Sequence, residues 1–520
     1  MDVREAVFDF LRGTGSTTVF GNPGSTEVKM LRDWPADFRY VLGLQESVVT
    51  AMAAGHAMGT GRAGVVSLHS AGGVGHALGA VFNAYRDRVP LLIIAGQQTR
   101  AMLPTRPFLA ADEPASFPRP YVKCSSQPDR AEDVPAALAE AYRLAMTPPR
   151  GPVFVSVPED DWNAAASPVP MREIQPDFVA SSEGLRSLAD ALNASERPAL
   201  VIGAGVDDDD AFAAVVALAE KTSAAVWLAP MSARSGFPED HRLFQGFLPP
   251  VRDQVVKVLD GHDVVLGIGA PIFKYHVHTP GPYLPAGTRL FQLDCDPVAA
   301  AWAPVGTSLL GTVRASVTAL LEFLDPVDRR VPAARPALTV ASSPAAFVID
   351  TLRATLPPGM VVVEEAPSHR DVFHERLPIT RPGGFLTTGS GALGWGLPVA
   401  VGRALAGDPV VCVVGDGSSL YSIQALWSAA QYRTPVTFVV LNNHGYEAVR
   451  QLGRRLGNAD PVGTEIPGVD FVAVANGFGV PARRVSPHDD LGSSLASAFA
   501  GDGPSLLEVP VDPSGVAAYS

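Results

Sequence analysis

The chain has 520 residues, 47% of them hydrophobic and 18% charged, so it can bury several cores and is long enough for about two to four domains. Its net charge of −13 argues against nucleic acid as a partner, because an acidic surface repels phosphate backbones. No apolar segment approaches the ~18 residues that span a bilayer. We therefore expect a soluble, cytoplasmic protein that binds neither nucleic acid nor membranes.

The chain contains three cysteines, which are far apart and form no CxxC motif. This spacing predicts neither a disulfide framework nor a zinc site. Cys124, Cys295 and Cys412 each lie in or beside an apolar stretch. We therefore expect three buried, unreactive thiols.

An amphipathic helix is predicted at the start of the chain. Its apolar face comprises Val3, Ala6, Val7, Phe10 and Leu11. Charged residues occur within the first five positions and no long apolar run follows. This pattern is typical of the first helix of a domain and not of an export signal.

Short, almost wholly apolar runs rich in β-branched residues alternate with Ala/Leu-rich stretches along the chain. They cover residues 18–20, 64–68, 91–95, 153–157, 199–202, 264–268, 361–363, 410–414 and 436–441. Runs without polar alternation are typical of parallel strands covered on both faces, and the intervals between them are long enough for helices. The sequence therefore predicts an α/β fold of doubly wound parallel sheets.

Two Pro-rich stretches, residues 163–178 and 325–341, lack apolar periodicity and are predicted to be linkers. They divide the chain into three α/β blocks of similar size, which we place at residues 1–165, 178–326 and 342–520.

Polar motifs directly follow two neighbouring C-terminal strands. Asp416 belongs to a Gly-Asp-Gly-Ser motif after the run 410–414, and Asn443 ends an Asn-Asn pair after the run 436–441. Parallel strands place such residues at one crevice, and carboxylate and amide oxygens suit Mg²⁺. Gly415 and Gly417 would let the backbone approach a diphosphate, and a helix beginning near Ser418 would offer N–H groups to it.

These paired motifs resemble the cofactor motif of the thiamine-diphosphate enzymes, which implies thiamine diphosphate and Mg²⁺ as cofactors. The resemblance makes Asp416, Asn443 and the Gly445 carbonyl the metal ligands. It places Ser418, Tyr421 and Tyr446 around the diphosphate. It also assigns Leu393 as the apolar wedge under the bent cofactor and the Gly391 carbonyl as the acceptor for its amino group, with Ser368 nearby.

In the N-terminal block the resemblance points to Glu46, which lies in a Leu-Gln-Glu-Ser segment before an Ala/Gly-rich helical stretch. A carboxyl group there would face the cofactor's aminopyrimidine and favour the tautomer that generates the nucleophilic ylid. The family builds its active site between two chains. The resemblance therefore implies a homo-oligomer that is at least a dimer, and a tetramer is the assembly that the family resemblance suggests.

Several further stretches are similar to those of benzoylformate decarboxylases: FGNPGS, FRYVLGLQE, LHSAGG, AGQQTRAM and APIFKYH. This resemblance spans nearly the whole chain and implies non-oxidative decarboxylation of an aromatic or bulky apolar 2-oxo acid. It makes Ser25, which would bind the substrate carboxylate, and His69 and His276, which would transfer protons, the catalytic side chains. Val449 and Leu452 would supply an apolar substrate pocket.

The sequence departs from that pattern at a few positions near the expected site. His76 stands where an asparagine is usual, Pro367 replaces a small polar residue, and Glu447 brings a charge beside the cofactor loop. These changes leave the identity of the 2-oxo acid open.

Two alternatives are weighed against the decarboxylase. A carboligase of the acetolactate-synthase type would use the same cofactor, and some such enzymes bind FAD in the middle block. There, Gly203-Ala204-Gly205 is followed by four acidic residues, 207–210, that would repel a pyrophosphate, so we expect no flavin. A non-catalytic paralogue would be expected to lack Glu46, Asp416 or Asn443, and all three are present.

Overall fold

The computed structural model describes residues 1–326, 329–335, 343–486 and 490–512. Within them, three six-stranded sheets follow one another along the chain, and every pair of neighbouring strands is parallel. All nine predicted runs are strands. The predicted fold class, three doubly wound parallel sheets flanked by helices, is confirmed.

The N-terminal sheet has the order β2-β1-β3-β4-β6-β5. Its strands are β1 (Thr18–Gly21), β2 (Arg39–Leu42), β3 (Gly64–Leu68), β4 (Leu91–Gln97), β5 (Ser125–Ser126) and β6 (Pro152–Pro158). Its helices are α1 (Val3–Thr14), α2 (Val28–Leu31), α3 (Glu46–Thr60), α4 (Ser70–Arg86) and α5 (Val134–Met146).

The middle sheet has the order β12-β11-β10-β7-β8-β9. Its strands are β7 (Pro198–Ile202), β8 (Ala225–Leu228), β9 (Phe244–Phe247), β10 (Val264–Ile268), β11 (Arg289–Asp294) and β12 (Thr307–Leu310). Its helices are α6 (Ser182–Ala194), α7 (Gly205–Asp208), α8 (Phe212–Thr222), α9 (Arg252–Val258), α10 (Pro297–Trp302) and α11 (Val313–Phe323).

The C-terminal sheet has the order β14-β13-β15-β16-β18-β17. Its strands are β13 (Val361–Glu365), β14 (Phe385–Thr387), β15 (Val410–Gly415), β16 (Val436–Asn442), β17 (Ala482–Arg484) and β18 (Ser505–Pro510). Its helices are α12 (Pro344–Thr355), α13 (Arg370–Arg376), α14 (Gly396–Leu405), α15 (Asp416–Ser419), α16 (Ala425–Gln431), α17 (Glu447–Arg455), α18 (Phe471–Gly477) and α19 (Leu491–Phe499).

The N-terminal and C-terminal sheets share one strand order, in which the first strand lies between the second and the third. The chain therefore leaves β1 and β3, and likewise β13 and β15, toward opposite sides of the sheet. Open α/β sheets bind ligands at the carboxyl ends of strands at such a switch point. Each of these two sheets thus offers one crevice where polar residues can meet.

Helices α3 and α14 join the N-terminal and C-terminal blocks in a common core. Two glycines make this contact close. A Cβ atom at Gly55 would lie 2.2 Å from the carbonyl oxygen of Val399, and one at Gly402 would overlap the carbonyl of Met52. Since any larger residue would force the helices apart, their packing fixes the position of Glu46 at the start of α3 relative to the C-terminal sheet.

Local signals define the first helix as predicted. The Asp2 carboxylate accepts the Glu5 N–H (2.8 Å) and the Glu5 carboxylate accepts the Asp2 N–H (2.9 Å), which forms a capping box. The helix ends before Gly15, whose φ of 72° is the left-handed conformation common after helices. All five residues of the predicted apolar face are buried.

The first predicted linker contains no helix or strand between Asn163, which ends a short 3₁₀ turn, and Ser182. The second lies partly outside the described residues. The block boundaries at 1–165, 178–326 and 342–520 stay predictions.

The three cysteines are free, but only Cys412 is fully buried. The prediction of burial is wrong for Cys124 and Cys295, which remain partly exposed. Burial nevertheless raises the pKa of all three thiols, to about 12 for Cys295. The thiols are therefore protonated near neutral pH, and a protonated thiol is a poor nucleophile.

Candidate active site

Three of the predicted catalytic residues lie at the switch point of the N-terminal sheet. Ser25 begins a 3₁₀ turn (Ser25–Glu27) after β1, and His69 follows β3, the neighbour of β1. Glu46 is the first residue of α3, after β2. A Cβ atom at Gly73 would touch both the Cβ of His69 (3.3 Å) and Oε1 of Glu46 (3.4 Å), so these two side chains are neighbours.

The His69 ring is held through Nδ1. This nitrogen lies 3.0 Å from Thr26 Oγ1 and 3.2 Å from Glu27 Oε2. Glu27 is 2% exposed, and it also accepts hydrogen bonds from the Thr26 hydroxyl and from the Gly24 N–H (2.7 Å). With Nδ1 engaged in this way, Nε2 is the nitrogen left to act on a substrate.

Glu27 is a residue of this cluster that the sequence analysis missed. Burial raises its pKa, an effect that the hydrogen bonds and the nearby His69 oppose. A signal for it exists in the sequence, since Glu27 stands two positions after Ser25 at the end of a strand. A glutamate in such a turn is usually solvated, however, so its type and position alone did not single it out.

The Glu46 side chain contacts His76, which stands where an asparagine is usual in the family that the sequence resembles. Nδ1 of His76 lies 3.2 Å from Glu46 Oε2. His76, on α4, is largely exposed, whereas the Glu46 side chain is mostly buried. The departure noted in the sequence is therefore in direct contact with the predicted catalytic carboxylate.

The predicted metal ligands converge at the carboxyl ends of β15 and β16. The Gly445 N–H donates to Asp416 Oδ2 (2.8 Å) and also to Asn443 Oδ1 (3.2 Å), so these two oxygens lie close together. His444, between Asn443 and Gly445, has the left-handed backbone conformation, with φ of 59°. The helix expected near Ser418 is a single turn, α15.

Asp416 is 2% exposed, and burial raises its pKa. Among the described residues, no Arg, Lys or His side chain forms an ion pair with it. Nor do any three His, Cys, Asp or Glu side chains of the described ranges form a group that could hold a metal. A cation here would thus be held by one carboxylate with amide and carbonyl oxygens, a donor set that suits a hard ion such as Mg²⁺.

A second buried carboxylate that the sequence analysis missed, Glu365, anchors the loop that carries Gly391 and Leu393. It accepts hydrogen bonds from the N–H groups of Gly394 (2.7 Å), Trp395 (3.1 Å) and Gly396 (2.7 Å) at the start of α14. Burial raises the pKa of Glu365 to about 7, although these bonds oppose the rise. No pattern around it in the sequence marks such a cap, because the loop it binds is some thirty positions away.

The C-terminal crevice opens into a cavity of about 810 Å³, within the range of small-molecule sites. Predicted residues that line it are Ser368, Gly391, Leu393, Gly415, Asp416, Gly417, Ser418, Asn443, Gly445, Tyr446, Val449 and His276. His276 reaches it from the loop after β10, where its backbone N–H donates to the Pro250 carbonyl (2.8 Å). The middle block thus contributes one of the predicted catalytic histidines to the C-terminal site.

Five predicted residues do not line this cavity: Ser25, Glu46, His69, Tyr421 and Leu452. Tyr421 lies beside it, where it is half-exposed and hydrogen-bonds Tyr446. Leu452 is partly exposed on α17. The first three form the separate N-terminal cluster, outside this cavity.

The middle-block motif Gly203-Ala204-Gly205 has a packing role. A Cβ at Gly203 would lie 2.4 Å from the Gly269 carbonyl, and one at Gly205 would lie 2.8 Å from the Gly269 Cα. The acidic residues that follow are partly neutralised by Arg234, which lies 2.8 Å from Asp208. Close contact with the turn after β10 accounts for both glycines.

Comparisons with known proteins agree with this arrangement of blocks. Residues 1–114 match the N-terminal TPP binding domain of thiamine pyrophosphate enzymes, 185–320 match their central domain, and 367–509 match their C-terminal TPP binding domain. The chain is also 42% identical to benzoylformate decarboxylase of Pseudomonas aeruginosa over 98% of both chains.

The chain belongs to the thiamine pyrophosphate enzyme family. Within it, the chain groups with the 2-oxo acid decarboxylases that resemble benzoylformate decarboxylase. Two solved structures are similar over nearly their full length. A thiamine diphosphate-dependent 4-hydroxybenzoylformate decarboxylase of Rhodococcus jostii RHA1 is 40% identical with a TM-score of 0.95, covering 98% of this chain and 99% of that one. Benzoylformate decarboxylase of Polynucleobacter necessarius is 37% identical with a TM-score of 0.97, covering 99% of each.

The residues of this thiamine pyrophosphate enzyme fit the cofactor. The cavity brings together the carboxylate of Asp416, which is buried and forms no ion pair with a described residue, and a Gly-rich loop anchored by Glu365. No helix of the described residues is both long and apolar enough to cross a membrane.

Proposed function

We propose that this enzyme decarboxylates an aromatic 2-oxo acid such as benzoylformate, which gives the aldehyde and CO₂. The observation that carries the proposal is the lining of the cavity that holds the predicted diphosphate site, which includes the apolar residues Leu393 and Val449 and the aromatic residues Trp227 and Phe247. An apolar wall suits an aryl group. The relatives at 42% and 40% identity are named for benzoylformate and 4-hydroxybenzoylformate.

When bound, thiamine diphosphate supplies the nucleophile and the electron sink that the lost carboxylate requires. Glu46 would bind its aminopyrimidine. Ser25 would hydrogen-bond the substrate carboxylate and orient it. His69 would give a proton to the substrate's carbonyl oxygen, and its engaged Nδ1 leaves Nε2 for that transfer.

His276 would protonate the carbon atom that loses CO₂, and the aldehyde forms once the oxygen atom gives back the proton that it received from His69. Partial burial lowers the pKa of His276, so that its protonated form is a stronger acid. The ring lies at the cavity, on the same side as the predicted cofactor residues. This division of work between the two histidines is part of the proposal.

We propose Mg²⁺ as the metal, held by Asp416, Asn443 and the Gly445 carbonyl. The convergence of the Asp416 and Asn443 oxygens on one N–H group supports a common ligand for both. The ion would bridge the protein to the cofactor's diphosphate, which Ser418 and Tyr446 would line. Removal of divalent cations should abolish cofactor binding.

We propose that the active site forms between two chains of a homodimer at least, with a tetramer of paired dimers as the expected assembly. The support is that Ser25, Glu46 and His69 lie outside the cavity that contains the other predicted residues. We place the enzyme in the cytoplasm, since its three cysteines are free and reducing compartments keep thiols unpaired.

Complementation between two inactive variants tests the shared site. Glu46→Gln and Asp416→Ala disable different half-sites, so a mixed dimer keeps one site with both halves intact. Random co-assembly should restore about a quarter of the wild-type activity, because half of the dimers are mixed and each has one of its two sites. No activity above that of the separate variants would mean that each site is built within one chain.

A substrate panel tests the chemistry. CO₂ release should be measured with benzoylformate and with linear aliphatic 2-oxo acids, with and without thiamine diphosphate and Mg²⁺. We expect cofactor-dependent release with the highest kcat/KM for the aryl substrate, and a sharp loss in Glu46→Gln and His69→Ala. Release that favours short aliphatic acids would contradict the aromatic assignment, and coupling of two oxo acids would favour the carboligase.

A further inference from the structure

The end of helix α4, in the N-terminal block, holds the C-terminal loop between β14 and α14. The Gly389 N–H donates to Asp87 Oδ1 (3.0 Å). One turn earlier on α4, Asn83 accepts a hydrogen bond from the Ser390 hydroxyl and donates one to the Ala392 carbonyl (3.2 Å). Two side chains of one block thus bind three consecutive parts of a loop in another.

Both side chains are buried, with Asn83 2% exposed and Asp87 7% exposed. Asp87 Oδ2 has no hydrogen-bond partner within the described part of the chain. Burial raises the pKa of Asp87 to about 7, although the Gly389 N–H and the cations Lys274 and Arg234 act in the opposite direction. A buried carboxyl group with one unpaired oxygen costs stability, so its bond to the loop is the feature that explains its presence.

The far end of the same loop is fixed by Glu365, which binds N–H groups at the start of α14. Gly391 has φ of 79°, and a Cβ atom there would meet nothing within 4 Å. Both Gly391 and Leu393 line the cavity. Because these two residues flank Ala392, whose carbonyl binds Asn83, their position depends on α4.

Helix α4 also contacts the other part of the predicted machinery. It begins at Ser70, directly after His69. Its 17 residues span about 25 Å at the usual helical rise. One rigid element therefore carries the predicted catalytic histidine at its start and the two residues that bind the loop at its end.

We propose that Asn83 and Asp87 are positioning residues, which hold the loop so that the Gly391 carbonyl accepts the amino group of bound thiamine diphosphate. The inference rests on the proposed cofactor site and not on the identity of the 2-oxo acid, because no substrate enters its test. A wild-type enzyme that binds the cofactor and releases no CO₂ would refute the proposed function and leave this inference standing.

Titration calorimetry of the metal-loaded apoenzyme tests the inference with two ligands, thiamine diphosphate and its analogue that lacks the 4′-amino group. We expect Asp87→Ala and Asn83→Ala each to raise the Kd of thiamine diphosphate about fivefold or more, the loss typical of one hydrogen bond. The Kd of the analogue should change less than about twofold, because the analogue has no amino group for the Gly391 carbonyl to bind.

Two further variants separate the contact from the stability of the fold. Asp87→Asn keeps an oxygen acceptor for the Gly389 N–H and should recover most of the affinity for thiamine diphosphate. Ser195→Ala is the control, since it removes a buried hydrogen bond to Asp263 (2.6 Å) in the middle block. It should lower the thermal midpoint of the apoenzyme and leave both Kd values unchanged.

Two results would overturn the inference. Equal increases in the Kd of both ligands would mean that Asn83 and Asp87 only maintain the fold. Unchanged Kd values in folded variants would mean that the loop keeps its position without α4. If the alanine variants do not fold, Ser390→Ala decides from the loop side, because it removes the hydroxyl that binds Asn83. A wild-type preference of that variant for thiamine diphosphate over the analogue would likewise exclude the positioning role.

Discussion

Substitution of Gly24 by alanine should displace His69 and leave the rest of the chain in place. A Cβ atom at this position would lie 2.2 Å from His69 Nδ1 and 2.4 Å from its Cγ, whereas ordinary contacts begin at 3.4 Å. The ring would have to move by about 1.2 Å, the difference between the two distances, to restore that contact. Such a shift breaks the 3.0 Å and 3.2 Å contacts of Nδ1 with Thr26 and Glu27.

The backbone at Gly24 does not itself require glycine, since its φ of −125° and ψ of −172° are extended values that alanine adopts freely. The effect should therefore come from the displaced ring. A misplacement of about 1 Å at a catalytic group can cost on the order of 100-fold in rate, so we expect kcat/KM to fall by about that factor.

Steady-state decarboxylation kinetics give kcat/KM, and calorimetry gives the Kd of thiamine diphosphate, which should not change. Gly72→Ala, in the first turn of α4, is the matched control, because a Cβ there meets nothing within 4 Å. It should keep wild-type kinetics. A Gly24→Ala enzyme within about twofold of wild-type kcat/KM would refute the view that His69 must be held where the structure places it.

Three further predictions concern the buried carboxylates. Glu27→Gln keeps the shape of the side chain but removes the carboxylate 3.2 Å from His69. In steady-state assays kcat/KM should fall about tenfold, with an unchanged Kd of the cofactor. Kinetics equal to those of the wild type would show that Glu27 has no role in the reaction. Asp416→Asn removes the carboxylate of the proposed metal site and should raise the calorimetric Kd of thiamine diphosphate with Mg²⁺ by about 10- to 100-fold; a wild-type Kd would mean that Asp416 holds no metal. The pKa of Glu365 rises from 4.5 to about 7 on folding, so the folded chain binds more protons than the unfolded chain. The contribution of Glu365 to the free energy of unfolding is therefore present below pH 4.5 and is lost as the pH rises through about 7. The loss amounts to about 3 kcal/mol. The fall in thermal midpoint of the apoenzyme between pH 5 and pH 8 should thus be smaller in Glu365→Gln, and an equal fall in both proteins would contradict the raised pKa.

Nine strands inside the sheets were predictable because they are uninterrupted apolar runs. β4, β7 and β16 are buried along their whole length, and their predicted bounds differ from the observed ones by at most two residues. The edge strands were not predicted, and neither were β8, β11 and β18 inside their sheets. β2, for example, has only one fully buried residue, and its extended form depends on pairing with β1. The strand order that the N-terminal and C-terminal sheets share also depends on such long-range pairing and leaves no pattern in the sequence.

The site was predictable where a motif follows a strand directly, as for Asp416 and Asn443. Residues whose partners come from distant elements were missed. Glu365 binds a loop at the start of α14, and Glu27 meets His69 only because β1 and β3 are neighbours in the sheet. A buried, paired glutamate and a solvated one look alike in a sequence, so only the fold distinguishes them.

The ratio of aldehyde to CO₂ formed from benzoylformate tests the central claim most directly. It should be measured with the apoenzyme before and after addition of thiamine diphosphate and Mg²⁺, with Glu46→Gln as the inactive reference. We predict no turnover without the cofactors and, with them, equal amounts of benzaldehyde and CO₂ that vanish in the variant. CO₂ without a matching amount of aldehyde, or no CO₂ from cofactor-loaded enzyme, would contradict the assignment of this chain as an aromatic 2-oxo acid decarboxylase.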